Sequence, residues 1–122
     1  MIDKINDDLV LSDLYNSVDC LVLPSRHDNS PLLALEAQSC GLPIVTFNCN
    51  GMSEIVDHKE SGYKVEAYNI KQFAEGIDWV LKNTDQTMLK DKILNKSREQ
   101  AMKYVGARYM KLYKKILNYE VY

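Results

Sequence analysis

Two short apolar segments, residues 20–24 and 44–47, constrain the fold of this chain more than any other feature. Between them, residues 25–43 consist of a polar loop followed by an apolar stretch typical of one short helix. A strand, a loop, a helix and a second strand in this order form a right-handed crossover of a parallel sheet. The sequence therefore predicts an α/β fold built on a parallel sheet.

The helix between the two strands has signals at both of its ends. Asn29 or Ser30 can cap its start, and Pro31 fits the first helical position, where a missing amide hydrogen costs nothing. Gly41 and Pro43 end the helix. These signals predict a helix that starts at Pro31 and ends before Gly41.

Glu36 is the one charged residue in this predicted helix. The neighbouring positions make the helix apolar nearly all round, as expected for a helix packed on a sheet: Leu32, Leu33, Ala34, Leu35 and Ala37. A carboxylate that faces an apolar interior costs several kcal/mol unless it is paired. We therefore expect Glu36 to face a cleft or a partner.

A second carboxylate, Asp28, lies in the loop before the helix, with seven residues between it and Glu36. Both acids could face the rim above the carboxyl end of the first strand, where open α/β sheets bind ligands. The free amides of residues 30–33 would point to the same rim and offer a site for an anion. The spacing therefore indicates a ligand site at this edge.

Several short motifs occur in order along the chain: Pro24-Ser25, Asp28-Asn29-Ser30-Pro31, Leu35-Glu36-Ala37, Cys40-Gly41-Leu42-Pro43-Ile44-Val45 and Gly51-Met52-Ser53-Glu54-Ile55-Val56. Together they resemble the C-terminal, donor-binding domain of GT-B fold retaining glycosyltransferases of family 4 (group 1). The resemblance runs from about residue 11 to residue 119. It implies half of a Rossmann-like GT-B C-terminal domain, with about three parallel strands, flanking helices and a helical C-terminal tail.

The resemblance also implies roles for the two carboxylates. In the family, two acids separated by seven residues flank this helix; the second binds the ribose hydroxyls of a nucleotide-sugar and the first contacts the donated sugar. Glu36 would then bind the ribose and Asp28 the sugar, although the family more often has Glu at the first position. The implied donor-binding residues are Asp28, Asn29, Ser30, Pro31, Leu32 and Glu36.

Four further residues form a second set of candidates. Ser25 belongs to the Pro-Ser motif, and Arg26 could offer a positive charge to a diphosphate or be a solvated side chain. Gly51 and Glu54 lie in a loop that borders the donor pocket in the family. The alternative is that Gly51 only supplies a positive φ and that Glu54 only favours the start of a helix. No residue is assigned as catalytic.

The implied reaction is the transfer of a sugar from a nucleoside diphosphate to an acceptor hydroxyl, in polysaccharide or glycolipid synthesis. Helix-terminal amides and basic groups would stabilise the leaving diphosphate, so we expect neither a metal nor a cofactor. A doubly wound domain has about six strands, and only half of them are predicted here. We therefore expect the chain alone to be incomplete and inactive, and to need the missing half-sheet and N-terminal domain or a homodimer partner. The alternative is a non-catalytic truncated α/β module that only folds and associates.

Charge divides the chain into two parts. Residues 1–84, the predicted nucleotide-sugar-binding unit, carry 6 Lys/Arg against 13 Asp/Glu. Residues 85–122, predicted as C-terminal helices packing on the same domain, carry 9 against 4. The basic part either presents solvated helix faces attracted to the acidic front, or lies near anionic lipid.

The composition also bears on location and partners. No apolar run approaches the roughly 20 residues of a membrane span, and the N-terminal residues lack the apolar stretch of a signal peptide. The three cysteines, Cys20, Cys40 and Cys49, are best read as reduced thiols. We expect a cytoplasmic chain, with peripheral contact at the inner membrane face as a further option and no nucleic-acid partner.

Hydrophobic periodicity predicts the remaining elements. A third strand is predicted at residues 62–65, and helices are predicted at residues 9–17, 53–57, 70–82, 88–104 and 106–118. Ser53 and Asn69 are the predicted caps of the second and third of these helices. Tyr15, in the first, could belong to the core or lie near a nucleotide base.

Overall fold

The computed structural model describes residues 5–27, 31–83 and 87–117 of the chain. These ranges contain a parallel sheet of three strands in the order β1 (Leu21–Leu23), β2 (Ile44–Phe47) and β3 (Gly62–Val65). The strand order follows the chain order, as expected when each crossover places the next strand beside the last one. The predicted α/β fold with three parallel strands is confirmed.

Six helices accompany the sheet in the described ranges: α1 (Asp8–Asn16), α2 (Leu32–Ser39), α3 (Met52–Ile55), α4 (Ile70–Asn83), α5 (Thr87–Glu99) and α6 (Met102–Ile116). The sequence predicted the break between α5 and α6 near Gly106. In the structure the break lies at residues 100 and 101. Both amides at the break bond three residues back, to Ser97 and Arg98, and Ala101 is extended (φ −64°, ψ 144°). Gly106 remains inside α6, because one glycine costs a helix only about 1 kcal/mol.

The structure corrects two of the predicted helix starts. Pro31 is the N-cap of α2 and not its first helical residue, because its ψ of 122° is extended. The capping candidates Asn29 and Ser30 lie outside the described residues. Gly51 is the N-cap of α3, and Ser53 lies inside that helix, where its hydroxyl donates to the Asn50 carbonyl at 2.8 Å. The predicted cap at Asn69 is confirmed, since its side chain accepts from the amide of Gln72 at 3.0 Å.

The core consists of two apolar clusters on opposite faces of the sheet. Side chains alternate between the faces along a strand, so Ile44 points into one cluster and Val45 into the other. The first cluster lies under α1, α2 and α3, and its buried members are Tyr15, Ala34, Ala37, Leu42, Ile44, Met52, Ile55 and Val56. The second lies under α4, and its buried members are Val45, Phe47, Val65, Phe73 and Val80. The central strand β2 is therefore buried on both faces.

The C-terminal helices extend from the face of the sheet that carries the first core cluster. α5 packs against α2, with the Ser39 and Ser97 hydroxyls 3.0 Å apart. An ion pair of 2.7 Å joins Lys96 of α5 to Asp57, in the loop that follows α3. α6 contacts α5 but has no buried residue. Apart from the partly buried Val105, its apolar side chains are exposed within the described chain.

Candidate functional site

Loops from all three strands meet at the carboxyl edge of the sheet. After β1, Arg26 and His27 approach Asn50, which follows β2: the Asn50 Nδ2 atom lies 3.2 Å from His27 Nδ1 and donates to the Arg26 carbonyl at 3.5 Å. After β3, the Tyr68 ring lies beneath the Arg26 guanidinium, with the Arg26 Cζ atom 5.2 Å from the ring centroid. The predicted ligand edge is thus an assembled surface that carries a positive charge.

The backbone of this edge differs from the sequence prediction at one position. Gly51 has a φ of −62°, so it does not supply the positive φ that was its alternative role. Asn50 takes that conformation, at φ 46°, and Tyr68 takes it at φ 68°. Asn enters this region readily, whereas a bulky side chain such as Tyr rarely does. Tyr68 carried no sequence signal, because a tyrosine in a polar turn has no distinguishing pattern.

Glu36 lies on α2 and is half-buried. The Tyr15 hydroxyl on α1 donates a hydrogen bond of 2.9 Å to its Oε2 atom. Tyr15 itself is 6% exposed and belongs to the first core cluster. No ion pair of Glu36 is found in the part of the chain that the structure describes. The acid in the apolar helix therefore has a polar partner and is not left in the core unpaired.

The environment of Tyr15 changes its acidity. Burial, then the hydrogen bond to Glu36 and the negative charge of that carboxylate, raises the pKa of Tyr15 to about 12. The phenol therefore keeps its proton at neutral pH and acts as a donor. Because a phenol has one hydrogen to donate, that hydrogen is committed to Glu36.

The start of α2 is open to solvent. Leu32 is 71% exposed and Leu33 is half exposed, although both belong to the helix that was expected to be packed nearly all round. The first amides of a helix have no acceptor within it, so this end offers donors at the rim. Asp28, the predicted sugar contact, lies outside the described residues, as do Asn29 and Ser30 of the predicted donor-binding set, and their roles stay predictions.

The second set of candidates is only partly brought together. Ser25 and Arg26 lie beside the loop after β2, where the Cys49 thiol donates to their carbonyl oxygens at 3.5 and 3.6 Å. Glu54 is exposed in the first turn of α3, and no contact joins it to Glu36 among the described residues. The geometry thus groups the loop residues at the edge and leaves Glu54 apart from the carboxylate on α2.

Comparison with known sequences decides the family. The sequence profile described as "Glycosyl transferases group 1" matches residues 2–104. The chain belongs to the glycosyl transferases group 1 family. It is 39% identical over 85 residues to an "Uncharacterized glycosyltransferase" of Haemophilus influenzae, an alignment that covers 69% of this chain and 23% of that protein.

Two further comparisons concern a second relative and a solved structure. The chain is 28% identical over 109 residues to the N,N'-diacetylbacillosaminyl-diphospho-undecaprenol alpha-1,3-N-acetylgalactosaminyltransferase of Campylobacter jejuni, covering 86% of this chain and 28% of that protein. Its fold is similar to that of a solved sucrose-phosphate synthase from Thermosynechococcus elongatus, with a TM-score of 0.79 and 21% identity over 96% of this chain. The chain therefore spans about a quarter of these relatives and 30% of the solved protein.

Three further features of this glycosyltransferase chain concern metal sites, membrane spans and cysteines. Within residues 5–27, 31–83 and 87–117, no cluster of three or more His, Cys, Asp or Glu side chains is arranged to hold a metal ion. None of the described helices is long and apolar enough to cross a membrane. Cys20, Cys40 and Cys49 are free thiols.

Proposed function

We propose that this chain carries the nucleotide-sugar donor site of a glycosyltransferase that moves a sugar from a nucleoside diphosphate to an acceptor hydroxyl. The observation that carries the proposal is the half-buried residue Glu36 on α2, the helix that follows β1, whose carboxylate accepts a hydrogen bond from Tyr15 of α1. Ligands of open α/β sheets bind beyond the carboxyl ends of the strands, and α2 starts there. Membership of the glycosyl transferases group 1 family supports the reaction class.

Several groups have a role in the proposal. A carboxylate has about four acceptor positions, so Glu36 can accept from Tyr15 and still receive ribose hydroxyls. The amides at the start of α2, near Leu32, and the Arg26 guanidinium face the diphosphate. In the proposal Asp28 contacts the sugar, Asn29, Ser30 and Pro31 contribute to donor binding, and Ser25, Gly51 and Glu54 have second-tier roles.

The chemistry needs charge stabilisation more than it needs a base from this chain. As the bond to the diphosphate breaks, the anomeric carbon gains oxocarbenium character and the leaving group gains negative charge. Amides and cations that are already oriented stabilise this charge without reorganising during the reaction. The proposal assigns no catalytic base here and requires no metal or cofactor.

The name of one relative bears on the acceptor. The Campylobacter jejuni protein is named for a diphospho-undecaprenol acceptor, which is a lipid-linked one. This supports a role in polysaccharide or glycolipid synthesis. We place the proposed reaction in the cytoplasm, with peripheral contact at the inner membrane face. The five basic and no acidic side chains of α6 support that contact: Lys103, Arg108, Lys111, Lys114 and Lys115.

The proposed enzyme includes more protein than this chain describes. Within the described residues β1 has a neighbouring strand on one side only, and α6 has exposed apolar side chains. Unpaired strand edges and apolar faces are normally covered in a functional protein. We propose that the other half of the sheet and an N-terminal domain cover them, and that the chain alone is inactive. One alternative is a homodimer joined at these surfaces, which sedimentation would reveal. Another is a module that only associates, which activity assays would reveal.

A binding titration tests the donor site directly. UDP-sugars and GDP-sugars are titrated into the full chain by calorimetry or NMR, and we expect saturable binding with one of them. Glu36→Ala should weaken that binding at least about tenfold, because hydrogen bonds to a charged group contribute about 1.5–3 kcal/mol. Glu75→Ala, which removes an exposed acid from α4, is the matched control and should bind normally. Wild-type chain that shows no saturable binding at millimolar concentrations contradicts the proposal.

A further inference from the structure

Tyr15 lies on α1, outside every segment that the sequence motifs connect with the donor site. Its hydroxyl nevertheless donates to Glu36 Oε2 at 2.9 Å. We infer that Tyr15 is a positioning residue, which holds the Glu36 carboxylate in the orientation that receives the ribose hydroxyls of a nucleotide. The inference rests on the proposed function, because it concerns the same carboxylate.

The Tyr15 ring is fixed by its surroundings. It is 6% exposed and packs in the first core cluster with Ala34 and Ala37, which lie on either side of Glu36 on α2. A buried ring in a closely packed core is restricted in its rotamer. Its hydroxyl is therefore a fixed point from which Glu36 Oε2 is held.

This fixed point matters because glutamate is a flexible side chain. A free Glu side chain loses considerable rotamer entropy when it becomes ordered by a ligand. The bond from Tyr15 restricts the carboxylate before any ligand arrives, which improves affinity by preorganisation. It also occupies one acceptor position of Oε2, so the remaining positions of both oxygens are directed away from Tyr15. Within the described residues no other side chain forms a hydrogen bond or an ion pair with the Glu36 carboxylate.

A purely structural role for Tyr15 predicts a different outcome from a positioning role. Loss of packing would weaken all ligands of the chain alike. Loss of carboxylate orientation would weaken only those ligands that present ribose hydroxyls to Glu36. The discriminating measurement is therefore the ratio between the affinities for a ribonucleotide and for its dideoxy counterpart.

The experiment uses the full chain and calorimetry with UDP, GDP and their 2′,3′-dideoxy forms. For the base that binds the wild-type chain, Tyr15→Phe should weaken the ribonucleotide about tenfold and change the dideoxynucleotide by less than about twofold. The double variant with Glu36→Ala should bind no more weakly than Glu36→Ala alone. Tyr63→Phe, which removes the hydroxyl of a half-buried tyrosine on β3, should leave both affinities unchanged.

Different failures point to different conclusions. If the wild-type chain prefers the ribonucleotide, Glu36→Ala removes that preference and Tyr15→Phe retains it, the positioning role is wrong and the donor site stands. If the wild-type chain binds none of the nucleotides, the donor site and the positioning role are both wrong.

A second measurement needs no variant that might unfold. In wild-type chain labelled with 13Cζ-tyrosine, the ribonucleotide should shift the Tyr15 resonance and the dideoxynucleotide should not. Equal shifts from both nucleotides overturn the positioning role.

Discussion

The Tyr15 hydroxyl and the Glu36 carboxylate, which lie 21 positions apart in the chain, are joined by a hydrogen bond of 2.9 Å. The bond links α1 to α2 at the side of the first core cluster. It explains how a carboxylate is accommodated in a helix whose other side chains are nearly all apolar. It also engages one carboxylate oxygen of Glu36, Oε2, and leaves the other acceptor positions of the carboxylate open.

The acidity of Tyr15 should depend on Glu36. Replacing Glu36 with Gln removes the negative charge and the stronger acceptor, so the pKa of Tyr15 should fall from about 12. It should remain above the ordinary value of 10.0, because burial is the largest cause of the shift and is unchanged. The measurement is a pH titration of the tyrosine 13Cζ resonances, with Tyr15→Phe to assign the signal. An unchanged pKa in Glu36→Gln would show that the bond is not formed in solution.

The same shift predicts how stability changes at alkaline pH. Since the folded pKa of Tyr15 is raised, the folded state keeps a proton that the unfolded state loses above about pH 10. This contribution to the free energy of unfolding should therefore be present below pH 10.0 and be lost as the pH rises through about 12. Urea unfolding of the wild-type chain and of Tyr15→Phe across this range measures it. The stability of the wild-type chain relative to that of Tyr15→Phe should fall across this range.

Two helical glycines should respond in opposite directions to alanine. A Cβ atom at Gly76 would lie 2.7 Å from Tyr63 Cδ1 and 3.1 Å from Val45 Cγ1, because α4 approaches the sheet closely there. Gly76→Ala should lower the free energy of unfolding by about 1–3 kcal/mol through overpacking. A Cβ atom at Gly106 meets nothing within 4 Å, so Gly106→Ala should raise it by about 0.5–1 kcal/mol.

Chemical denaturation measures both of these glycine variants. Each serves as the control of the other, since both replace a glycine inside a helix. A stabilised Gly76→Ala would mean that α4 lies farther from β2 and β3 than the structure shows.

The start of α4 should depend on the Asn69 side chain. Its oxygen accepts from the Gln72 amide at 3.0 Å, so Asn69→Ala should cost about 1 kcal/mol of stability. Asn95→Ala is the control, because Asn95 is exposed within α5, where alanine is the better helix former. Equal losses in the two variants would argue against a specific cap, and unfolding in urea compares them.

His58 should make the fold sensitive to mild acid. Partial burial, followed by the positive charges of Lys59 and Lys64, lowers the pKa of His58 below its ordinary value of 6.5. The Lys64 amide donates to Nδ1 at 3.1 Å, and the ring packs on Tyr63 with centroids 4.5 Å apart. The unfolded chain therefore binds a proton at a higher pH than the folded chain does. Stability from His58 should be present above pH 6.5 and be lost as the pH falls below it.

Urea unfolding at about pH 7.5 and about pH 5.5 tests this prediction. His58→Gln should reduce the loss of stability between the two conditions. His27→Gln, at the other histidine, should leave the contribution of His58 in place. A His58→Gln chain with the full wild-type loss would show that other groups cause it.

Much of the fold was predictable because local patterns were sufficient. The limits of β2 and β3 agree with the predicted segments, since short apolar runs between turn residues have few other solutions. The break between α5 and α6 was misplaced, because residues 97–101 contain neither Gly nor Pro and Gly106 offered a more obvious stop. The helix propensity of these residues was outweighed by two backbone hydrogen bonds, each to the carbonyl three residues back, that end α5.

The candidate site was predictable only in part. Glu36 was found because a charge in an apolar helix stands out in a sequence. Tyr15 was noticed, but its bond to Glu36 was not predicted. Asn50 and Tyr68 were missed at the carboxyl edge, because their roles follow from backbone conformation and from neighbours on other loops. Asp28, Asn29 and Ser30 stay predictions.

By itself, the sequence determined the α/β class, the order of strands and helices and the position of the unusual acid, because each depends on neighbours a few residues apart. Only the tertiary structure decided what that acid touches. The contact joins residues on two helices, and its geometry depends on how α1 and α2 pack over the sheet. Hydrogen bonds act over about 3 Å, whereas sequence patterns do not resolve distances between segments far apart in the chain.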